Sequence, residues 1–398
     1  MDKKRHIEFD MSSPDLTEAE RKAVLDVLNT PILSMGPHLQ AFEKAFTAYT
    51  GLGYAVGVNS GTAGLHLCVR SAGIGPGDVV LTTPFSFVAS TNVLLFENAV
   101  PVFVDVDPQS GNINPKFLAE AAADLNSGGE RAQKWLPRKG SASRRSLKAI
   151  LGVDVFGQPA DWDPIRKISD EFGLKVIEDS CEALGAGYKN RKAGSLGDYG
   201  VFAFYPNKQV TTGEGGVIVT NDGKAADLML ALRNQGRAPG DTWLSHTYLG
   251  YNYRLDEMSA ALGEVQMHRL EELLRKREKV AGWYDERLTE IPGVEIPMIE
   301  TFTTRKTWFV YVVRFDPAID RDAVARRLEK MGVPVRPYFL PIHLQPYMVD
   351  RFGYRPGDFP VTEDLGRRGL ALPFSGVMTE DQVDHICWNL SKVLEPTK

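Results

Sequence analysis

Between residues 54 and 220 this chain sets short, nearly unbroken apolar runs between stretches of helical character, and that alternation leaves few folds open to it. The runs fall at residues 54–58, 79–83, 100–106, 148–156, 175–178, 199–204 and 215–220. A strand with one wet face alternates apolar and polar residues, whereas a strand covered on both faces need not. Val79-Val80-Leu81 and Val100-Pro101-Val102-Phe103-Val104 are of the second kind. Helical stretches such as residues 163–172 lie between the runs. The pattern predicts an α/β fold, with a mainly parallel sheet between layers of helices. Ligands of such sheets sit at the carboxyl ends of the strands.

The flanks read differently. Thr17-Glu18-Ala19-Glu20 is a capping box that opens a helix to about Leu28. Residues 255–291 turn helical and amphipathic, with Leu262, Val265, Leu270, Leu273 and Leu274 apolar. As one helix they would span about 55 Å. A strand at 308–315, a helix at 320–331 and a last helix at 379–394 predict a smaller C-terminal α+β domain. The expected division is a large domain over residues 1–254 and a linking helix with the small domain over 255–398. Residues 126–148 stand apart, carrying Arg131, Lys134, Arg138, Lys139, Arg144, Arg145 and Lys148 against one acid, Glu130. Such a basic, Gly- and Ser-rich insertion reads first as a mobile surface loop. The alternative is a clamp for a polyanionic substrate.

Composition removes several classes of function. The formal net charge is −5, which gives no footprint for nucleic acid. No apolar run reaches the roughly 20 residues of a membrane span. Met1-Asp2-Lys3-Lys4-Arg5-His6 has no apolar segment behind it, so no secretory leader is expected. The three cysteines, Cys68, Cys181 and Cys387, stand in unrelated contexts and suit a reducing cytoplasm. Cys181 lies among candidate site residues, but with no histidine near it in sequence a packing role is expected. No metal site is expected.

Three local motifs carry chemistry. Asn59-Ser60-Gly61-Thr62-Ala63-Gly64 follows an apolar run and opens a helical stretch. Glycine allows close backbone approach there, and helix-start N–H groups face an anion. By itself this is also a plain strand-to-helix turn. Asp179 closes the run Val176-Ile177-Glu178, with Glu182 three residues on. A strand-end carboxylate can hold a ring nitrogen protonated, or merely cap a helix. Lys208 interrupts Phe202-Ala203-Phe204-Tyr205-Pro206-Asn207 before the turn Thr211-Thr212-Gly213-Glu214-Gly215-Gly216. A buried lysine is costly, and a lysine joined to an aldehyde as an imine escapes that cost by losing its charge. Phe85 and Phe87 each offer a ring to stack on a flat heterocycle or to fill the core. An amine, a strand-end carboxylate and a phosphate cradle in this order are what a pyridoxal phosphate site requires.

With these residues in view, the chain resembles the DegT/DnrJ/EryC1/StrS family of pyridoxal phosphate-dependent sugar aminotransferases, of fold type I. The resemblance also rests on the segment 101–107, Gly157-Gln158-Pro159-Ala160, Tyr251-Asn252-Tyr253-Arg254-Leu255 and Pro341-Ile342-His343. It implies that Lys208 bonds the cofactor and then carries the proton, and that Asp179 pairs with the ring nitrogen. Gly61, Thr62 and Ala63 would hold the phosphate, Phe87 would stack on the ring, and Glu182 would face the ring hydroxyl. Asn252 would reach the phosphate of a neighbouring subunit, making the active protein a homodimer with shared sites. His343, Tyr338 and Arg237 would meet the substrate. Two residues depart from the family pattern. Ala203 stands where many members have a phosphate-binding serine, and Glu182 where many have glutamine. A carboxylate there opposes a phenolate unless one of them is protonated.

The implied activity is transfer of an amino group from L-glutamate to a nucleotide-linked keto-sugar in polysaccharide, glycan or antibiotic biosynthesis. The cofactor would alternate between its pyridoxal and pyridoxamine phosphate forms. The rivals are a member acting on a free cyclitol or an aminohydroxybenzoate precursor, and a regulatory homologue with a dead site. Intact Lys208, Asp179 and Asn252 argue against the last.

Overall fold

In the computed structural model, which describes residues 10–140 and 146–395, all seven apolar runs become strands of one sheet. They are β1 (Tyr54–Val58), β2 (Val79–Thr82), β3 (Val100–Phe103), β4 (Leu147–Val153), β5 (Lys175–Asp179), β8 (Tyr199–Ala203) and β9 (Gly216–Thr220). Their order across the sheet is β1-β9-β8-β5-β4-β2-β3. Every pairing from β8 to β3 is parallel, and β9 alone runs against its two neighbours.

The near-continuous apolar runs have a direct cause. Val80, Leu151, Ile177, Val201 and Ile218 face one core. Their chain neighbours Leu81, Ile150 and Val176 face a second core, and Phe202 and Val217 face a third. Every residue of a strand covered on both sides is buried, so none needs to be polar.

Helices supply the covers. On the first face lie α3 (Gly61–Ser71), α4 (Ala89–Phe96) and α8 (Gly223–Arg233). On the other are α5 (Pro115–Ser127) and α7 (Trp162–Phe172), with the short α6 (Gly129–Gln133) packed on α5. The capping box at Thr17 opens α1 (Glu18–Leu28) as expected, and α2 (Pro37–Thr50) follows it.

The expected single helix over 255–291 is instead two, α9 (Glu257–His268) and α10 (Leu270–Leu288). They meet at Arg269, whose φ of −98° and ψ of 4° leave the helical region. Its guanidinium bridges Asp15 at 2.9 Å, Glu20 at 2.5 Å and Glu272 at 3.0 Å, so the N-terminal segment is tied to the bend. α10 then passes between cores. Leu273 and Leu274 join the core of Phe202 and Phe204, while Val280, Ala281 and Tyr284 join that of the small sheet.

The small sheet is antiparallel, in the order β10 (Val294–Glu295), β12 (Tyr311–Phe315), β14 (Gly369–Leu372), β13 (Arg336–Pro337). It is covered by α10, α11 (Arg321–Lys330) and α14 (Glu380–Leu394), with α12 (Pro346–Phe352) and α13 (Pro360–Arg368) between its later strands. A third sheet joins β6 (Gly187–Tyr188), β7 (Arg191–Lys192) and β11 (Thr303–Arg305). The strand expected at 308–315 begins at Tyr311, because the carbonyls of Trp308 and Phe309 are engaged by Arg277. β4 ends at Val153, short of the expected 156, where Phe156 takes a φ of 56°.

Residues 126–140 of the basic insertion are more ordered than a loose loop. α6 lies inside it, Lys134 pairs with Asp124 at 2.8 Å, and Arg138 grips both carboxylate oxygens of Asp358. Arg144 and Arg145 lie outside the described residues. Among the described residues no helix is long and apolar enough to cross a membrane.

Candidate active site

The carboxyl ends of β1, β2, β5 and β8, with the segments after them, converge on one cavity of about 490 Å³. Phe309, Tyr338 and Phe339, from the flanks of the small sheet, close its other side.

The anion cradle comes directly from β1. Ser60 caps α3, its Oγ accepting from Ala63 N at 3.0 Å. Gly61 and Thr62 then hold the first helical N–H groups, which have no acceptor within the helix and lie at the positive end of its dipole. The cap engages the Ala63 N–H, so of the expected Gly61, Thr62 and Ala63 the first two keep free donors. Gly61 is required by packing: a Cβ there would stand 2.6 Å from Ala203 Cβ and 2.9 Å from Cys181 Sγ. Ala203 brings no hydroxyl to the cavity, so Thr62 and the two amides are left to meet a phosphate.

Asp179 ends β5 facing the cavity and is only 5% exposed. Ser90 Oγ donates to its Oδ2 at 2.7 Å, and Cys181 N donates to its Oδ1 at 3.2 Å. A turn rather than a helix follows it, so it is not a helix cap. Ser86 Oγ lies 2.9 Å from Ser90 Oγ and also lines the cavity. The carboxylate is thus oriented from two sides. Burial pushes the Cys181 thiol well above its usual range, which suits packing rather than attack.

Beneath Asp179 lies a second layer of acids. Ser180 Oγ sits 2.7 Å from Asp154 Oδ2 and 3.1 Å from Glu178 Oε1, and both carboxyls are fully buried. One hydroxyl has one hydrogen to give, and backbone N–H groups of Gly194, Leu196 and Gly197 also donate to Glu178. Burial raises the pKa of each.

Lys208 follows β8 in a turn, with its side chain 13% exposed. Its Nζ stands 3.7 Å from Glu182 Oε1 and 3.9 Å from the centre of the Phe309 ring. It is the one amine among the described residues that line the cavity. Glu182 Oε2 accepts from Phe156 N at 2.9 Å. Burial raises the Glu182 pKa, and the Lys208 charge only partly opposes this. A carboxyl held towards its neutral form can stand beside a ring oxygen as the family's glutamine does.

The two phenylalanines separate cleanly. Phe85 is 3% exposed and packs edge-on to Phe156 and Phe339, whereas Phe87 is 62% exposed and lines the cavity. Tyr338 lines it too. The other expected substrate residues are elsewhere. His343 is fully buried, its Nε2 is 3.0 Å from Glu363 Oε1, and Phe359 packs edge-on to its ring. A ring with no exposed surface touches no bound sugar, so a direct contact from His343 is ruled out in this arrangement. Arg237 lies over the Trp243 ring at 4.6 Å and does not line the cavity. Neither does Asn252, which is exposed.

Sequence reasoning missed Ser86, Ser90 and Phe309. The serines had a signal, four residues apart beyond Pro84 and so on one face of a helical turn. Phe309 had none, since it reaches Lys208 only through the tertiary fold.

The donor set fits pyridoxal phosphate: two free amides and a hydroxyl for its phosphate, a fixed carboxylate for its ring nitrogen, an aromatic face and one amine. Comparison with known proteins points the same way. A model of the DegT/DnrJ/EryC1/StrS aminotransferase family matches residues 14–391. GDP-perosamine synthase of Caulobacter vibrioides is 36% identical over 387 residues, covering 96% of this chain and 98% of that protein. Helicobacter pylori PseC, an aminotransferase involved in pseudoaminic acid biosynthesis, superimposes with a TM-score of 0.86 at 28% identity, over 98% of this chain and 100% of that one. S. venezuelae DesV, solved with a ketimine intermediate, gives a TM-score of 0.83 at 30% identity over 95% of each chain.

Proposed function

The chain belongs to the DegT/DnrJ/EryC1/StrS aminotransferase family, and from that premise we propose that it moves an amino group from L-glutamate to a keto-sugar carried on a nucleoside diphosphate. The observation that carries this reading is the single amine of Lys208 held in one cavity with the Asp179 carboxylate and the α3 cradle. The relatives support the substrate class: the Caulobacter protein is named for a GDP-linked sugar.

Pyridoxal phosphate, when bound, supplies an aldehyde that takes up the amino group and a protonated ring that draws electrons from the adjoining carbon. The chain does the rest. Gly61, Thr62 and the α3 dipole bind the phosphate. Asp179, oriented by Ser90 and Cys181, holds the ring-nitrogen proton. Phe87 would cover one face, and Glu182 would face the ring oxygen. Lys208 Nζ would hold the cofactor between turnovers and carry the substrate proton during them. Phe309, Tyr338 and Phe339 exclude water from that side.

The test is a screen of nucleotide-linked keto-sugars with L-glutamate as donor, read by mass as an amino-sugar product. Cofactor absorption with no product from any nucleotide-linked sugar, but product from a free cyclitol, would overturn the substrate assignment.

The reading includes a cytoplasmic homodimer with shared sites. Asn252 is exposed and does not line its own chain's cavity, and nearby Trp243, Leu244 and Leu249 are exposed apolar residues suited to a second copy. If Asn252 completes the partner's phosphate cradle, mixing Lys208→Ala with Asn252→Ala chains builds hybrids. One site in each hybrid carries both lesions and the other neither. Activity then rises above that of either variant alone. No gain, with subunit exchange and impairment of Asn252→Ala both verified, would leave Asn252 acting within its own chain.

A further inference from the structure

Arg277 lies on α10, 4% exposed, where the helix passes between the two cores. No ion pair to a carboxylate is found for it among the described residues. Burial lowers its pKa to about 10, so it remains charged at neutral pH. Burying a guanidinium is costly; the Asp15 charge opposes this only in part, and charge-assisted hydrogen bonds offset the rest. It makes four. Nη2 donates to Lys208 O at 2.6 Å and Asn207 O at 3.2 Å. Nη1 donates to Trp308 O at 3.0 Å and Phe309 O at 3.2 Å.

These acceptors form two pairs from segments far apart in sequence, and each pair includes a residue of the cavity wall. The same two residues, Lys208 and Phe309, meet again at their side chains, where Nζ lies 3.9 Å from the ring centre. Arg277 therefore fixes, from behind, the span across which the amine faces its aromatic wall. Neighbouring contacts brace the same span. Gln209 Nε2 donates to Glu182 O at 2.6 Å and crosses to Thr307 Oγ1 at 3.3 Å, and Thr307 N donates to Gly157 O at 3.0 Å. None joins Lys208 to Phe309 directly. A rigid, planar fork is the group that can reach four carbonyls at once, and lysine cannot replace it.

We propose that Arg277 is a positioning residue for Lys208: by clamping the 207–208 and 308–309 carbonyls it sets where the amine stands against Phe309 and Glu182, and so the geometry of proton transfer. This rests on the role of Lys208 given above. An amine displaced by about an ångström loses roughly a hundredfold in rate without losing its ligand.

The experiment compares Arg277→Gln and Arg277→Lys with the parent holoenzyme. The readouts are the donor half-reaction with L-glutamate by stopped-flow absorption, the pH midpoint of the bound cofactor's absorption without donor, and thermal stability. In the Gln variant the half-reaction slows by roughly ten- to a hundredfold, and the midpoint moves by at least about half a pH unit. The donor concentration giving half-maximal rate stays within about twofold, as for a loss confined to the reacting step. The Lys variant, which keeps the charge but not the fork, recovers only part of the rate. If the Gln variant fails to fold, the Lys variant carries the test alone. A fall in melting temperature with rate and midpoint both unchanged would overturn the proposal, leaving Arg277 a structural prop. If L-glutamate produces no absorption change in the parent, the donor assignment fails instead. The donor-free midpoint still decides the role of Arg277.

Discussion

Lys208→Ala yields a folded protein whose steady amination falls by at least about ten-thousandfold, the upper end of what a positioned proton carrier supplies. No other amine lines the cavity among the described residues, so nothing stands ready to bond the cofactor or carry the proton. Folding survives because little rests on the side chain. Its partners are Glu182 at 3.7 Å and the face of Phe309, and burial already drives Glu182 towards its neutral form. The backbone at 208 stays held by Arg277. Amino-sugar product followed by mass, borohydride reduction and a thermal melt check the three parts together. Product should vanish, borohydride should no longer fix cofactor to the chain, and the melt should stay cooperative. Turnover at the parent rate would end the assignment of Lys208.

Asp179→Asn keeps cofactor bound but slows transfer by on the order of a thousandfold. Breaking a buried charge pair costs about 3–5 kcal/mol, and each 1.36 kcal/mol is a factor of ten in rate. The substitution is nearly isosteric. The amide oxygen can still accept from either Ser90 or Cys181, so the cavity should keep its shape. What the amide cannot do is hold a positive ring nitrogen. Single-turnover rates with L-glutamate, alongside a cofactor titration, separate binding from chemistry. A loss below about tenfold would mean that another group protonates the ring.

The strands could be read from the sequence because burial on both faces removes polar residues from a strand, and the runs around Val80, Ile177 and Val201 carry that mark. Their ends could not. β4 stops where Phe156 takes a left-handed φ, and β12 starts late because an arginine on α10 engages the preceding carbonyls. Neither cause is local. The same division runs through the site. Gly61, Asp179 and Lys208 were legible because each sits at a strand end beside its own turn. Ser90 reaches Asp179 across 89 residues and Arg277 reaches Lys208 across 69, with no local pattern to announce either contact. His343 shows the opposite error. A motif suggested a substrate contact, while its ring is packed under Phe359 and beside Glu363. The bend at Arg269 was invisible because the apolar spacing of 255–291 continues through it.

The place of β1 in the sheet has a consequence for how the protein is made. β1 lies at the edge, and its neighbour is β9, with Tyr54 opposite Thr220. At roughly 5–20 residues per second on the ribosome, β1 waits on the order of ten seconds or more for that partner to be synthesised. Pairings between distant segments also form slowly, since the intervening loop must close first. The cradle at Gly61 and Thr62 hangs directly from the end of β1, and Gly216 packs so near it that a Cβ there would stand 2.7 Å from Ser60 O. A nascent chain halted before residue 216 therefore carries the sequence of the phosphate site without yet having the site.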